Sequence, residues 1–406
     1  MLKKLVPALA AASLLATTQV PSAMAFDIGG SNGWKFSTDG FLNVFGTYES
    51  VQARPAGVIG GELGSGGNVT TPTAAGERDQ QFRVRTGLLP VGIGFNIKSP
   101  VVDGVQYGIR LGIYPQIQNN GGSHTDISPN IDFREINATA DGSFGQVLAG
   151  RALNLYQGKN ILTDMTLFGA GVVGPVNSGP TMGHIGYGYL YPNFGAQIRY
   201  TTPDMAGVKW AVSVNDTSDI GAATVRNIPR FESELSWATT YTGGKAQAWL
   251  SGLWERNSFA TTQPIRPGQH VDTVGGAGGL EGSINGLDLL VSCYGGQALG
   301  MLGMNGADAL SADGQVRPNW GFLTQATYQL TKTWKLGLNY GQSRAEKAGN
   351  DTDANIMKQQ AAVAAITYNV NSFVQLMAEY TWAQDRWFNG EHQNGNMGAI
   401  GTFIYW

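Results

Sequence analysis

A period-two alternation of apolar and polar residues recurs along this chain, and it limits the possible folds more than any other feature. From Val105 to Tyr114 one face reads Val105, Tyr107, Ile109, Leu111 and Ile113, and the other Gln106, Gly108, Arg110, Gly112 and Tyr114. Val208 to Asn215, Trp334 to Gly341 and Asn193 to Tyr200 alternate in the same way. Alternation at this period places successive side chains on opposite faces of a β-strand. After residue 26, charged or strongly polar residues interrupt every apolar run well before the roughly 18 residues a membrane helix needs. With 58 Gly, 16 Phe, 10 Trp and 15 Tyr, the composition is that of an all-β chain rich in turns.

Alternation alone fits a soluble sandwich as well as a membrane barrel; the two ends of the chain separate these readings. Lys3 and Lys4 precede an apolar stretch from Leu5 to Ala16, and Ala23-Met24-Ala25 fits a small-x-small cleavage site. That stretch is about 12 residues long against the roughly 20 that cross a bilayer, so it reads as a signal peptide, residues 1–25, cleaved before Phe26. The chain ends Phe403-Ile404-Tyr405-Trp406. Export followed by insertion into the outer membrane of a Gram-negative bacterium is the expectation. In a lipid-exposed sheet all backbone polar groups pair internally, so residues 26–406 are expected to form a closed antiparallel transmembrane β-barrel.

Connections fall into two sizes. Short ones lie at Ser99–Gly104, Asp141–Gly145, Thr201–Gly207, Thr242–Lys245, Ile284–Leu287, Leu330–Thr333 and Asn369–Ser372, while polar, Gly-rich stretches fill about Val51–Asp79, Ala152–His184 and Ala298–Arg317. Short periplasmic turns at one rim and long external loops at the other suit such a barrel, and the turns imply about 16 strands, enough to enclose water.

The segments Arg199–Trp210 (RYTTPDMAGVKW), Phe133–Arg151 (FREINATADGSFGQVLAGR), Thr327–Tyr340, Thr367–Tyr380 and the final GTFIYW resemble, in order, stretches of the general porins of proteobacteria. The resemblance implies a trimeric, 16-stranded barrel whose third external loop, here about Ala152 to His184, folds into the lumen and narrows it. Leu153, Leu155, Tyr156, Met165, Leu167 and Phe168 suit packing on the inner wall; Gly169, Gly171, Gly174 and Gly179 suit tight bends. Trp406 stands where the family more often has Phe.

Charged side chains around the narrowest ring set ion selectivity in a water-filled pore. Arg83 and Arg85 share a strand face opposite Phe82 and Val84, and Pro90 marks a bulge. With Arg110, Arg134 and Arg151 they are expected to form a basic wall opposite the loop. In the loop, Asp164 is the only carboxylate, with Lys159 and Tyr156 nearby. Lys98, Arg199, Lys209 and Lys335 are expected in the lumen outside the narrowest ring. Local ion pairs compete with this assignment: Arg134 adjoins Glu135, and Arg230 lies near Glu232 and Glu234. The aromatic residues Trp210, Trp237, Trp254, Trp334, Tyr340, Tyr380, Trp382 and Trp406 are expected to form interfacial girdles.

The four histidines lie far apart in expected loops without metal-ligand spacing, and Cys293 is alone, so neither metal site, cofactor nor disulfide is expected. No nucleophile–base motif supports an enzyme. The formal charge of −3, more negative once Lys3 and Lys4 are removed, argues against nucleic acid as a partner. The expectation is a passive channel for small hydrophilic solutes and ions with weak anion preference, a homotrimer in contact with outer-membrane lipids and lipopolysaccharide. The alternatives are a substrate-selective channel and a structural or adhesion barrel with an occluded pore.

Overall fold

A computed structural model describes residues 26–63, 78–118, 131–172, 179–303 and 306–406. The expected signal peptide, His124 and Gly174 lie outside the described residues. Eighteen strands form one sheet. In chain order they are β1 (Phe26–Gly29), β2 (Lys35–Gln52), β3 (Arg78–Arg85), β4 (Gly92–Val102), β5 (Val105–Pro115), β6 (Ile131–Gly142), β7 (Gly145–Leu153), β8 (Phe194–Thr201) and β9 (Val208–Asn215). There follow β10 (Arg230–Tyr241), β11 (Gly244–Ser258), β12 (His270–Ile284), β13 (Leu287–Gln297), β14 (Pro318–Gln329), β15 (Trp334–Ala345), β16 (Ile356–Asn369), β17 (Val374–Trp387) and β18 (His392–Tyr405). A six-residue helix, α1 (Gly158–Thr163), and a 3-10 turn over Met165–Phe168 lie between β7 and β8. No described helix is long and apolar enough to cross a membrane.

Neighbouring strands pair antiparallel, and β18 returns to β2 from Gly395↔Val51 to Tyr405↔Phe41. The ring is closed, so no long strand edge is left exposed. β3 and β4 lie end to end along β2, through Phe45↔Arg85 and Phe41↔Gly92. β1 lies against the start of β2, beyond the point where β18 stops. The eighteen strands therefore make a closed barrel of 16. Two-residue turns at Asp103–Gly104 and Asn285–Gly286 are backed by positive φ at all four residues, the geometry that matches strand twist and that Asn, Asp and Gly adopt at least cost.

Alternation sorts the side chains as the sequence predicts. Outward positions carry large exposed apolar groups, among them Ile109, Ile198, Leu250, Leu338 and Ile400. Trp210, Trp237 and Trp334 stand outward close to the short turns, where an aromatic ring meets the interface of a bilayer. Inward positions are largely polar or small: Asn43, Thr47, Glu135, Asn137, Gln197, Ser213, Ser292, Asn339 and Glu379 are all buried. An apolar exterior around a polar interior inverts the soluble sandwich and identifies a barrel built for lipid.

Leu338 is 63% exposed, midway along β15, between Ala326 and Ala364 on its neighbours. Leu338→Arg places a cation in the hydrocarbon zone and is expected to lower unfolding stability in vesicles by about 2–4 kcal/mol. A urea midpoint equal to wild type would show that this face does not meet lipid.

Candidate functional site in the barrel lumen

The connection from β7 to β8 crosses the inside of the ring, held by side chains from much of the wall. Glu232 on β10 accepts hydrogen bonds from the Leu155 and Tyr156 amides at 2.8 and 3.1 Å. Trp249 on β11 donates Nε1–H to Asn160 at 2.9 Å. Gln325 on β14 accepts from the Met165 amide at 2.6 Å and donates to the Thr163 carbonyl at 3.2 Å. Glu379 on β17 accepts from the Ala170 and Gly171 amides at 2.8 and 3.0 Å, and Thr381 donates to the Gly171 carbonyl at 3.0 Å. Charge-assisted bonds to backbone N–H groups are among the stronger protein hydrogen bonds. They fix an irregular segment whose amides would otherwise be orphaned.

Apolar packing reinforces them. Leu153, Ile161, Leu167 and Phe168 bury against Phe45, Leu290, Leu323, Met377 and Phe403 of the wall. Gly169 sits where a Cβ would meet a Glu379 carboxylate oxygen at 2.0 Å, so a larger residue here would push that carboxylate aside. Between β3 and β4 the six residues 86–91 span what three residues span on β2. This excursion, the bulge that Pro90 signals, is pinned by the Gly87 amide donating to Asn43 at 2.7 Å and by Asn43 Nδ2–H donating to Leu89 at 2.9 Å. The Leu88 amide then donates to the Gly169 carbonyl at 2.9 Å, joining bulge and loop.

Asp164 is fully buried and faces the wall. It accepts from the Thr166 amide (2.9 Å) and hydroxyl (2.6 Å), the His184 amide (3.3 Å), the Tyr189 hydroxyl (2.7 Å) and Asn339 Nδ2 (3.3 Å). The carboxylate expected to face the arginines is therefore a structural rivet. Tyr156 is also fully buried, among Leu190, Leu253 and Tyr294, and does not line an opening. Lys159 is half-buried on α1, within electrostatic reach of Glu234.

The arginines divide. Arg83 and Arg85 share the inward face of β3; Arg85 is fully buried and donates to the Gly179 and Pro180 carbonyls of the loop. Arg110 points inward on β5 but is clasped by acids, at 3.0 Å from Asp39 and 2.8 Å from Glu135. Tyr114 donates to the same Glu135 oxygen, and Arg110 donates to Asn96 at 2.9 Å. This wall element sets one guanidinium against two carboxylates and is a net acidic knot rather than a free cation.

The other two expected wall members differ from each other. Arg134 lies beside the Gly112/Tyr114 register shift near the loop end of β6, bonded to Asp132 at 2.7 Å and set over the rings of Tyr114 and Phe194. The expected local pair of Arg134 with Glu135 is thus replaced. Arg151 is exposed and pairs across strands with Ile136 and Ala196. Cross-strand partners share a face, and Ile136 is half exposed on the outside, so Arg151 leaves the lumen. Arg230 does pair with Glu232.

Lys98 lies directly across from Lys35 on the inward face. Lys335 pairs with Asp288 at 3.4 Å, Lys209 reaches Asp204 at 3.9 Å, and Arg199 donates to the Leu153 carbonyl at 3.4 Å. At the loop end of the lumen Glu62 is pushed up to about 7 by burial and by its neighbours Asp308 and Asp385, so near neutrality it carries only part of its charge. Asp385 accepts from the Glu62 and Leu63 amides and from Tyr187, tying the β2–β3 connection to the same wall. Asp39, Glu232, Glu379 and Asp385 were all discoverable as acids at inward-parity positions. Among the described residues, no group of three or more His, Cys, Asp and Glu side chains is placed to hold a metal.

Among the described residues, no hydrogen bond joins the loop to β4, β5 or β6. There the inward face carries the half-buried Asn96, Gln106, Arg110, Thr139 and Asp141. The loop is therefore anchored to one side of the barrel, across from this polar inner face.

No protein-family model matches the sequence, and no curated protein matches it. Its fold is nonetheless shared with solved structures. The outer-membrane channel DcaP of Acinetobacter baumannii superposes at TM-score 0.68 with 14% identity, covering 94% of this chain and 99% of that one. An anion-selective porin from Comamonas acidovorans superposes at 0.60 with 13% identity, covering 92% and 100%. Salmonella typhi OmpF superposes at 0.57 with 12% identity, covering 94% and 100%. With its closed 16-stranded ring, its short turns opposite long loops, and its third loop inside the lumen, the chain has the fold of the general 16-stranded porins.

Proposed function

We propose that this protein is an outer-membrane channel for passive diffusion of small hydrophilic solutes and ions. The observation that carries this reading is the polar inner face of β4 to β6, across from a loop whose bonds go to the rest of the wall. Water and hydrated ions need such a lining across the hydrocarbon zone, whereas a plugged or adhesive barrel does not. Similarity in fold to a channel and to porins supports it. Assembly as a homotrimer and contact with outer-membrane lipid belong to the same reading.

A weak preference for anions is part of the proposal. The loop offers no carboxylate to the passage, because Asp164 is spent on its own backbone and on Tyr189 and Asn339. Arg83 and Arg199 stand on the inward face, and Lys35 faces Lys98 near the short-turn end. Across a planar bilayer with a tenfold KCl gradient, the reversal potential is expected to have the sign of chloride permeating faster. The opposite sign would remove the anion preference and leave the channel itself standing.

A further inference from the structure

The third loop crosses β14 at Gln325, whose side chain holds the Met165 amide. From there the inward faces of β14 to β18 run on toward the short turns, and between them and the loop lies a cavity of about 80 Å³. Met165 and Phe168 of the loop meet Met377 of β17 and Tyr405 of β18 across it. The Phe168 and Tyr405 rings stand 6.2 Å apart at 59°. Gly337 makes room for the loop, since a Cβ there would meet the Met165 sulfur at 2.6 Å. Thioethers and aromatic rings are polarizable surfaces that favour a flat ring as their partner.

A polar edge surrounds this apolar floor. Lys335, across from Gln329 and Thr367, pairs with Asp288 at 3.4 Å, and the same carboxylate accepts from Thr327 at 3.1 Å. One cation is matched by one anion, so the edge is neutral. Gln375 donates to the Asn369 side-chain oxygen at 2.9 Å, which leaves the Asn369 amide nitrogen to serve another acceptor. Thr367, Asn369 and Gln329 are half-buried at this edge and bring hydroxyl and amide groups to it. A solute charge entering here loses hydration without gaining a counter-charge, whereas an uncharged donor–acceptor group is matched.

We infer that this cavity binds a neutral aromatic ring with an amide edge, the chemistry shared by nucleobases and nicotinamide, on the short-turn side of the third loop. A cavity of about 150 Å³ holds benzene whole, so this smaller one takes part of a ring and leaves the rest in the lumen. Partial enclosure suits a solute that must leave again to complete its passage. The inference deepens the channel reading proposed above and rests on it.

The test uses the full-length protein in detergent at neutral pH, with affinities from ligand-observed saturation-transfer NMR. The probes are nicotinamide, its isosteric anion nicotinate, and cyclohexanecarboxamide, which keeps the amide and loses the flat ring. Wild type is expected to bind nicotinamide about fivefold more tightly than either of the others. Thr367→Phe fills the cavity and is expected to abolish nicotinamide binding; Thr367→Val keeps the shape, removes the hydroxyl and is expected to weaken binding about threefold. Heat-shift electrophoresis verifies that each variant barrel is folded, and if Thr367→Phe fails that check, Thr367→Val decides. Absence of the preference in wild type, a preference for nicotinate, or undiminished nicotinamide binding in the deciding variant overturns the inference. Conductance of the same preparation reports separately on the channel, so a missing ligand site and a missing channel give different results.

Discussion

Asp164→Ala is expected to give a larger and noisier channel in a barrel that still folds. Five donors converge on this fully buried carboxylate, from Thr166 twice, His184, Tyr189 and Asn339. Each buried donor left without an acceptor costs about 1–3 kcal/mol, and alanine offers none of them a replacement. Water recovers part of that loss, but more than about 3 kcal/mol of loop docking is expected to go. The strand ladders do not depend on Asp164, so heat-shift electrophoresis should remain close to wild type. In planar bilayers the unitary conductance should rise by about twofold, with flicker that wild type lacks. An unchanged, quiet conductance would show that the loop does not border the passage. Glu379→Gln provides a graded comparison: a neutral acceptor can still meet the Ala170 and Gly171 amides, so its effect should be in the same direction and smaller.

Arg110→Ala is expected to act on stability and selectivity together. Its guanidinium sits between Asp39 and Glu135, with side-chain exposures of 30%, 25% and 7%. Removing one partner of a buried pair costs about 3–5 kcal/mol. Partial exposure of Arg110 and Asp39 brings the expected loss to about 2–3 kcal/mol, read as a lower urea midpoint. Two carboxylates then face the lumen without a counter-charge, and the reversal potential should shift toward cations. Adding Glu135→Gln to Arg110→Ala should recover part of both effects. A shift toward anions in the single variant would contradict the placement of this knot in the passage.

The parts of the architecture set by local rules could be read from the sequence. The inward placement of Arg83, Arg85, Arg110 and Lys98 follows from the two-residue period of the strand and the apolar residues opposite them. Six of the seven short turns carry their own Gly, Asn, Asp or Pro chemistry, and Pro90 announced the break between β3 and β4. Legibility failed where both faces of a strand are alike. In Gly145–Leu153, Val147, Ala149 and Arg151 alternate with Gln146, Leu148 and Gly150, and only pairing with Ile136 and Ala196 turns Arg151 outward. The pairing of Arg134 with Asp132 rather than Glu135 was hidden because the register shift opposite Gly112 and Tyr114 leaves no local signature.

Asp164 was misjudged for a different reason. An acid in a long loop looks available to solvent, and nothing local reveals that Tyr189 and Asn339, 25 and 175 positions away, converge on it. The acids that hold the loop could have been found. Glu379 sits at inward parity between Ala378 and Tyr380, and Glu232 and Asp385 share the inward parity of their strands; a carboxylate inside a barrel needs a partner.

In the proposed reading a polar, water-filled passage runs between the third loop and the inner face of β4 to β6. Single-channel recording of the purified, full-length protein in a planar bilayer tests it most directly. Discrete steps are expected, linear in voltage and growing in proportion to KCl concentration. A correctly inserted barrel that stays electrically silent, verified by heat-shift electrophoresis of the same sample, would contradict the account.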